Sequence, residues 1–306
     1  MTRIPGVGIA GWVLLVLLGC LVAGFLALPS TAVGAAAPRP SFVVILADDM
    51  GYSDIGSYGG EIATPHLDGL AAAGLRFTEF YNTARCSPTR AALLTGVYPH
   101  EAGMGFLPFA WHPPGYTGAL AGDAVTIPEA LEGAGYRSYL AGKWHLSDQM
   151  VETAGDEGRI SKASWPIARG FDRFYGTIAG AGNYFFPVTL VEGERPISPE
   201  GEDYYYTDAI SERAAGFLRE HAAHHPDQPF FLYVAYTAPH WPLHAREEDV
   251  VRYRGRYDAG WDALREERHA RMRELGVVDP RWPLSPRDPD APSWEEAEQK
   301  AWQARR

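Results

Sequence analysis

Ser41-Phe42-Val43-Val44-Ile45-Leu46-Ala47-Asp48-Asp49-Met50-Gly51 is the stretch from which the fold is read. From Ser41 to Ala47 it is almost continuously apolar and rich in β-branched side chains, which suit a pleated strand. A strand wet on one face would alternate apolar and polar residues. This run does not, so it reads as a buried strand of a parallel sheet covered on both faces. Two adjacent carboxylates, Asp48 and Asp49, close it. Such a pair beside a core is costly unless something positive lies between the charges, and hard cations such as Ca²⁺ want these oxygens. A solvated turn is the bland alternative. Asp54 is assigned to the loop that follows.

Outward from there, Thr64-Pro65 opens a helix running to Ala73 and stopped by Gly74, with His66 on its surface. Leu75 to Tyr81 alternates as a strand would. It leads to Ala84-Arg85-Cys86-Ser87-Pro88-Thr89-Arg90-Ala91-Ala92-Leu93-Leu94-Thr95-Gly96. Ser87 reads as a helix cap, Pro88 as its first turn and Gly96 as its end. Cys86 then stands at a helix N-terminus, where free N–H groups favour negative charge, and Arg90 lies one turn on. That is a nucleophile position with an anion site built in. The bland reading is a buried structural thiol.

Thr126-Ile127-Pro128-Glu129 is a capping box that starts a helix to Ala134. Gly135 to His145 reads as turn, strand and strand-end loop, with Lys143 and His145 on one side of an extended chain. A Lys donor for an anion's oxygens and a His for proton transfer suit cleavage of an anionic ester. Asp203 to Ala223 is an amphipathic helix with Ile210, Ala214, Phe217 and Leu218 on one face. Pro229 to Tyr236 is a second buried strand, ending in Thr237-Ala238-Pro239-His240-Trp241-Pro242-Leu243-His244. His240 therefore shares the C-terminal edge of the strands with Asp48, Asp49, Lys143 and His145, where open α/β sheets build their sites. His244 reads as pocket lining. Helices are further expected at Asp262 to Leu275 and Ser293 to Gln303. The expectation is an α/β fold with a mostly parallel central sheet flanked by helices.

Cys86-Ser87-Pro88-Thr89-Arg90 followed by apolar residues, Thr95 and Gly96, together with Gly135 to His145, resembles the two signatures of the type I, formylglycine-dependent sulfatases of the alkaline phosphatase superfamily. The segment from Arg169 to Gly176 also resembles that family but carries no assigned chemistry. The resemblance implies an arylsulfatase-like hydrolase of sulfate monoesters and assigns a role to each motif residue. Cys86 is oxidised to formylglycine by a formylglycine-generating enzyme, and its hydrate is the nucleophile. Asp48, Asp49 and the Cys86-derived group hold Ca²⁺, with Mg²⁺ as the alternative. Lys143 and Arg90 neutralise sulfate oxygens, His240 contacts the leaving oxygen, and His145 takes a proton from the second hydroxyl. The substrate would be a small-molecule or carbohydrate sulfate ester. Two alternatives remain: a phosphonate or phosphodiester hydrolase of the same superfamily, and an inactive truncated remnant. Members of the family are usually longer, so the chain is expected to hold the N-terminal portion of a sulfatase domain without its C-terminal subdomain.

The 306 residues carry a formal charge of −11 and 46% hydrophobic residues, which is ample for a core and argues against nucleic acid as a partner. Residues 1–37 read as a targeting segment. Arg3 precedes an apolar run over residues 4–28 that is long enough to span a bilayer, and Ala35-Ala36-Ala37 suits cleavage. A signal peptide and an uncleaved N-terminal membrane anchor both fit, and residues 38–306 form the catalytic domain. Either way the domain is exported, to the periplasm or the medium, or held at the membrane. Apart from Cys20 in that leader, Cys86 is the sole cysteine, so the exported chain has no internal disulfide.

Overall fold

Four parallel strands and two antiparallel ones make the sheet, in the order β1-β6-β2-β3-β4-β5. The strands are β1 (Phe42–Asp48), β2 (Arg137–Gly142), β3 (Arg173–Thr177), β4 (Leu190–Glu192), β5 (Arg195–Pro196) and β6 (Phe230–Pro239). The computed structural model describes residues 39–111, 113–147 and 160–305. The leader expected at residues 1–37 lies outside them. Among the described residues, no helix is long and apolar enough to cross a membrane.

β6 is the axis of the sheet. It pairs in parallel with β1 on one side, from Phe42↔Phe231 to Leu46↔Ala235, and with β2 on the other, from Arg137↔Phe230 to Gly142↔Ala235. Phe231, Leu232, Tyr233, Val234 and Ala235 are buried as a result. One face carries Phe231, Tyr233, Leu140, Trp144, Phe171 and Phe174 in a core that also takes Leu94. The other face packs Leu232, Tyr139 and Tyr175 against a long helix.

The helices are α1 (Pro65–Ala73), α2 (Cys86–Thr95), α3 (Ile127–Glu132), α4 (Tyr206–His224), α5 (Glu247–Arg252), α6 (Gly260–Glu274) and α7 (Lys300–Gln303). α4 turns Tyr206, Ile210, Ala214, Phe217 and His221 toward the sheet, the apolar face its sequence announces. α3 begins with the expected capping box: Thr126 Oγ1 accepts from Glu129 N, and Thr126 N donates to Glu129 Oε2. Arg169 completes it, reaching Glu129 and the carbonyls of Ala121 and Ala124, so the segment before β3 is structural.

Four expectations change. β1 is not covered on both faces: Phe42, Val43 and Ile45 are 44, 49 and 53% exposed, since among the described residues β1 is an edge strand paired to β6 alone and these side chains have no packed layer over them. Leu75 to Tyr81 forms no strand and pairs with no other segment among the described residues, so its alternation has nothing to act against. α2 starts earlier than its Ser-Pro pair implies, with Arg85 as N-cap and Cys86 as its first residue, while Gly96 closes it at φ 71° as expected. α7 covers only Lys300–Gln303, since Ser293 and Glu296 close a local turn on each other instead.

Candidate active site

The parallel pairing of β1, β6 and β2 brings their C-terminal ends side by side. Asp48 ends β1, Lys143 follows β2, and His240 follows β6. The end of α2 that carries Cys86 supplies the fourth component. Arg90, one turn into α2, reaches across to the same place. Its guanidinium donates to the Lys143 carbonyl at 2.9 Å and to Tyr233 Oη at 3.3 Å, and stands 3.3 Å from Asp48 Oδ2. Lys143 Nζ donates to that same carboxylate oxygen.

Lys143 is fully buried, Arg90 is 1% exposed and Asp48 5%. Two basic side chains therefore share one buried carboxylate away from bulk water. Burial pulls the Lys143 ammonium below its ordinary range and Arg90 pulls it further, while Asp48 and Cys86 oppose them. Two basic side chains to one buried carboxylate make a setting in which an anionic group could be held.

His145 lies beside it, buried, with φ 59°. The expected extended chain from Lys143 to His145 is therefore broken by a left-handed residue at His145. Gly180 allows this, because a Cβ there would collide with the imidazole. Burial, then Lys143, Arg90 and His240, push the His145 pKa down to about 2, so the ring is a neutral imidazole. Its Nδ1 has no hydrogen-bond partner among the described residues.

The outer side of the site is wetter. Asp49, at φ 62°, turns away from Asp48 and faces His240, whose Nε2 is 3.6 Å from Asp49 Oδ2. Cys86 is partly exposed and is a free thiol. His244 lines the neighbouring wall, accepting from Tyr184 N at 3.3 Å. Sequence reasoning missed Tyr233, which sits inside an apolar strand and looks like core until Arg90 reaches its hydroxyl. It also missed Gly180, whose part depends on a ring from another segment. Asp54 accepts from Gly51 N and pairs with Arg268 at 2.6 Å, away from the carboxylate pair, and His66 is exposed on α1.

Asp48 and Asp49 are hard oxygen donors of the kind Ca²⁺ prefers, but that ion takes about six to eight oxygens. No group of three or more His, Cys, Asp or Glu side chains able to hold a metal occurs among the described residues. The donors fit in kind and fall short in number.

The sulfatase family model matches residues 40–280, which is most of the chain. The chain belongs to the sulfatase family. It is 34% identical to an arylsulfatase of Klebsiella aerogenes over 84% of this chain and 55% of that protein. It is 38% identical to arylsulfatase A of Bos taurus, over 68% of this chain and 43% of that protein. Among solved structures it resembles Ps i-CgsB in complex with k-i-k-neocarrahexaose, with a TM-score of 0.60, 31% identity, and 78% of this chain and 54% of that one covered. A second neighbour, in complex with its substrate D-glucosamine-2-N,6-O-disulfate, gives a TM-score of 0.55 at 28% identity, over 72% of this chain and 38% of that one. The chain spans about half the length of the curated relatives it matches. The sheet with its flanking helices is the N-terminal part of the sulfatase fold.

Proposed function

We propose that the chain carries the chemistry of an arylsulfatase-like hydrolase: cleavage of an aryl or carbohydrate sulfate monoester to an alcohol and sulfate. The observation that carries this is the buried Arg90–Asp48–Lys143 cluster next to Cys86 at the start of α2. A sulfate monoester is an anionic group of the kind this setting could hold.

Cys86, once oxidised to formylglycine by a generating enzyme, supplies a hydrate hydroxyl as nucleophile. Around it, Lys143 and Arg90 hold the sulfate oxygens, and Asp48 keeps both cations in place. His240 stands on the open side to contact the oxygen of the leaving alcohol. His145 enters neutral, which leaves it able to accept the proton from the second hydroxyl, so that the sulfated hydrate collapses to the aldehyde and its C–O bond to sulfate breaks. An anionic sulfate offsets Lys143 and Arg90, and so raises the His145 pKa as it binds. Asp48, Asp49 and the Cys86-derived group would contribute to a Ca²⁺ site, or a Mg²⁺ site, whose remaining oxygens come from elsewhere; the ion would add Lewis-acid polarisation. The reading places the domain outside the cytoplasm, with residues 1–37 as signal peptide or anchor. A neighbour solved with a disulfated glucosamine and relatives named arylsulfatases support both kinds of leaving group.

The test is to produce the chain together with a formylglycine-generating enzyme and to weigh the Cys86 peptide. Turnover of an aryl sulfate is then compared with that of an aryl phosphodiester. Formylglycine at Cys86 and a faster sulfate rate are expected, and Cys86→Ala should abolish turnover. A plain thiol overturns the reading, and a faster phosphodiester rate reassigns the ester.

A further inference from the structure

His240 follows β6 on a short loop. Within the loop, His240 N donates to Thr237 O at 2.9 Å, the His240 ring meets Trp241 O through Nδ1, and His244 N donates to Pro242 O at 2.9 Å. Two further anchors come from outside it. Tyr184 Oη donates to the backbone carbonyl of His240 at 2.6 Å, and Tyr205 Oη donates to the backbone carbonyl of His244 at 3.0 Å. Two tyrosines thus hold the carbonyls of the two histidines.

We propose that Tyr184 and Tyr205 are positioning residues, which fix the segment from His240 to His244 by its carbonyls and so set where the His240 imidazole stands. Both anchors are themselves fixed. Tyr206 N, at the start of α4, donates to Tyr184 O at 2.8 Å, and Tyr184 N donates to the His244 ring. Tyr184 is buried, its ring centre 5.9 Å from that of His244. Arg246 stacks over the Tyr205 ring at 5.2 Å and pairs with Asp208 at 2.7 Å, which ties the second anchor to α4. Burial, then Tyr205, Asp48 and Asp49, raise the Tyr184 phenol, so it stays a neutral donor. A movement of the loop that carries Tyr184 is therefore passed to His240 through one short bond.

The importance of His240 rests on the sulfatase reading, whereas the placement of its ring does not. The experiment accordingly reads the ring: carbon–proton NMR of the chain labelled at histidine, assigned with His240→Ala and His244→Ala. Tyr184→Phe keeps the aromatic packing and deletes only the hydroxyl. It is expected to shift the His240 ring signals by more than their linewidth. His221, held by Tyr139 Oη at 2.9 Å and Gln228 O at 2.9 Å, should stay in place as the internal reference. Tyr205→Phe is expected to shift His244. Unmoved His240 signals, or equal shifts at every histidine, overturn the proposal. Should Tyr184→Phe not fold, Tyr205→Phe decides alone, and an unmoved His244 overturns it. Because no turnover enters the readout, an inactive chain with shifted rings would sink the function and leave the positioning standing.

Discussion

The two sides of the candidate site are built on opposite terms. On the inner side, Asp48, Lys143, Arg90 and His145 are all buried, and each cation depends on a neighbour for its charge balance. On the outer side, Asp49 is 61% exposed at its side chain, Cys86 is partly open, and His240 meets Asp49 at 3.6 Å. The adjacent residues Asp48 and Asp49 thus end one strand and go to different environments. The inner side should be felt in the stability of the fold, and the outer side in its chemistry alone.

Matched amide substitutions of the two aspartates break this comparison most directly. Asp48→Asn leaves Lys143 and Arg90 buried without a counter-charge, which is expected to cost about 3–5 kcal/mol in urea unfolding. A loss below about 1 kcal/mol would mean that water reaches the cluster, and the two sides would no longer differ.

Acid sharpens the contrast next. The His145 pKa is about 2 in the fold against an ordinary 6.5, so below pH ~6.5 the unfolded chain binds a proton that the folded chain does not. Stability therefore falls as pH drops, by at most about 1.4 kcal/mol for each unit from this one group. His145→Asn, which tolerates the left-handed backbone, should flatten that part of the slope between pH 7 and 5. Parallel slopes for the two chains would place the His145 ring in water.

The smallest effect belongs to the outer carboxylate. Asp49→Asn keeps a residue suited to φ 62° and should change stability by no more than about 0.5 kcal/mol. A larger loss would show that Asp49 carries part of the fold and would blur the two sides into one.

Much of the site was legible because strand ends are legible. Apolar runs, β-branched in β1 and rich in aromatics in β6, mark the two strands, and Asp48 and His240 follow from where those runs stop. The capping box before α3 and the apolar face of α4 were equally local signals. Reading failed where a residue's state depends on its neighbours. The pattern of β1 asks for cover on both faces, but the pattern cannot say what packs beside or over it, and among the described residues β1 pairs with β6 alone. Leu75 to Tyr81 carries a strand's alternation with no strand to pair with among the described residues. The turn at His145 needed Gly180, and the Tyr233 hydroxyl needed Arg90 to reach it.

Local pattern alone says which residue types stand at the ends of which elements, because hydrophobic runs, caps and glycines act over a few residues. It also determined the family, since the motifs around Cys86 and Lys143 are contiguous. Which of two neighbouring carboxylates is buried, which basic side chains share it, and which tyrosines hold the histidine loop emerge from the folded chain. Those outcomes depend on charge, burial and hydrogen-bond geometry among segments far apart in the chain, and no local pattern encodes the distance between them.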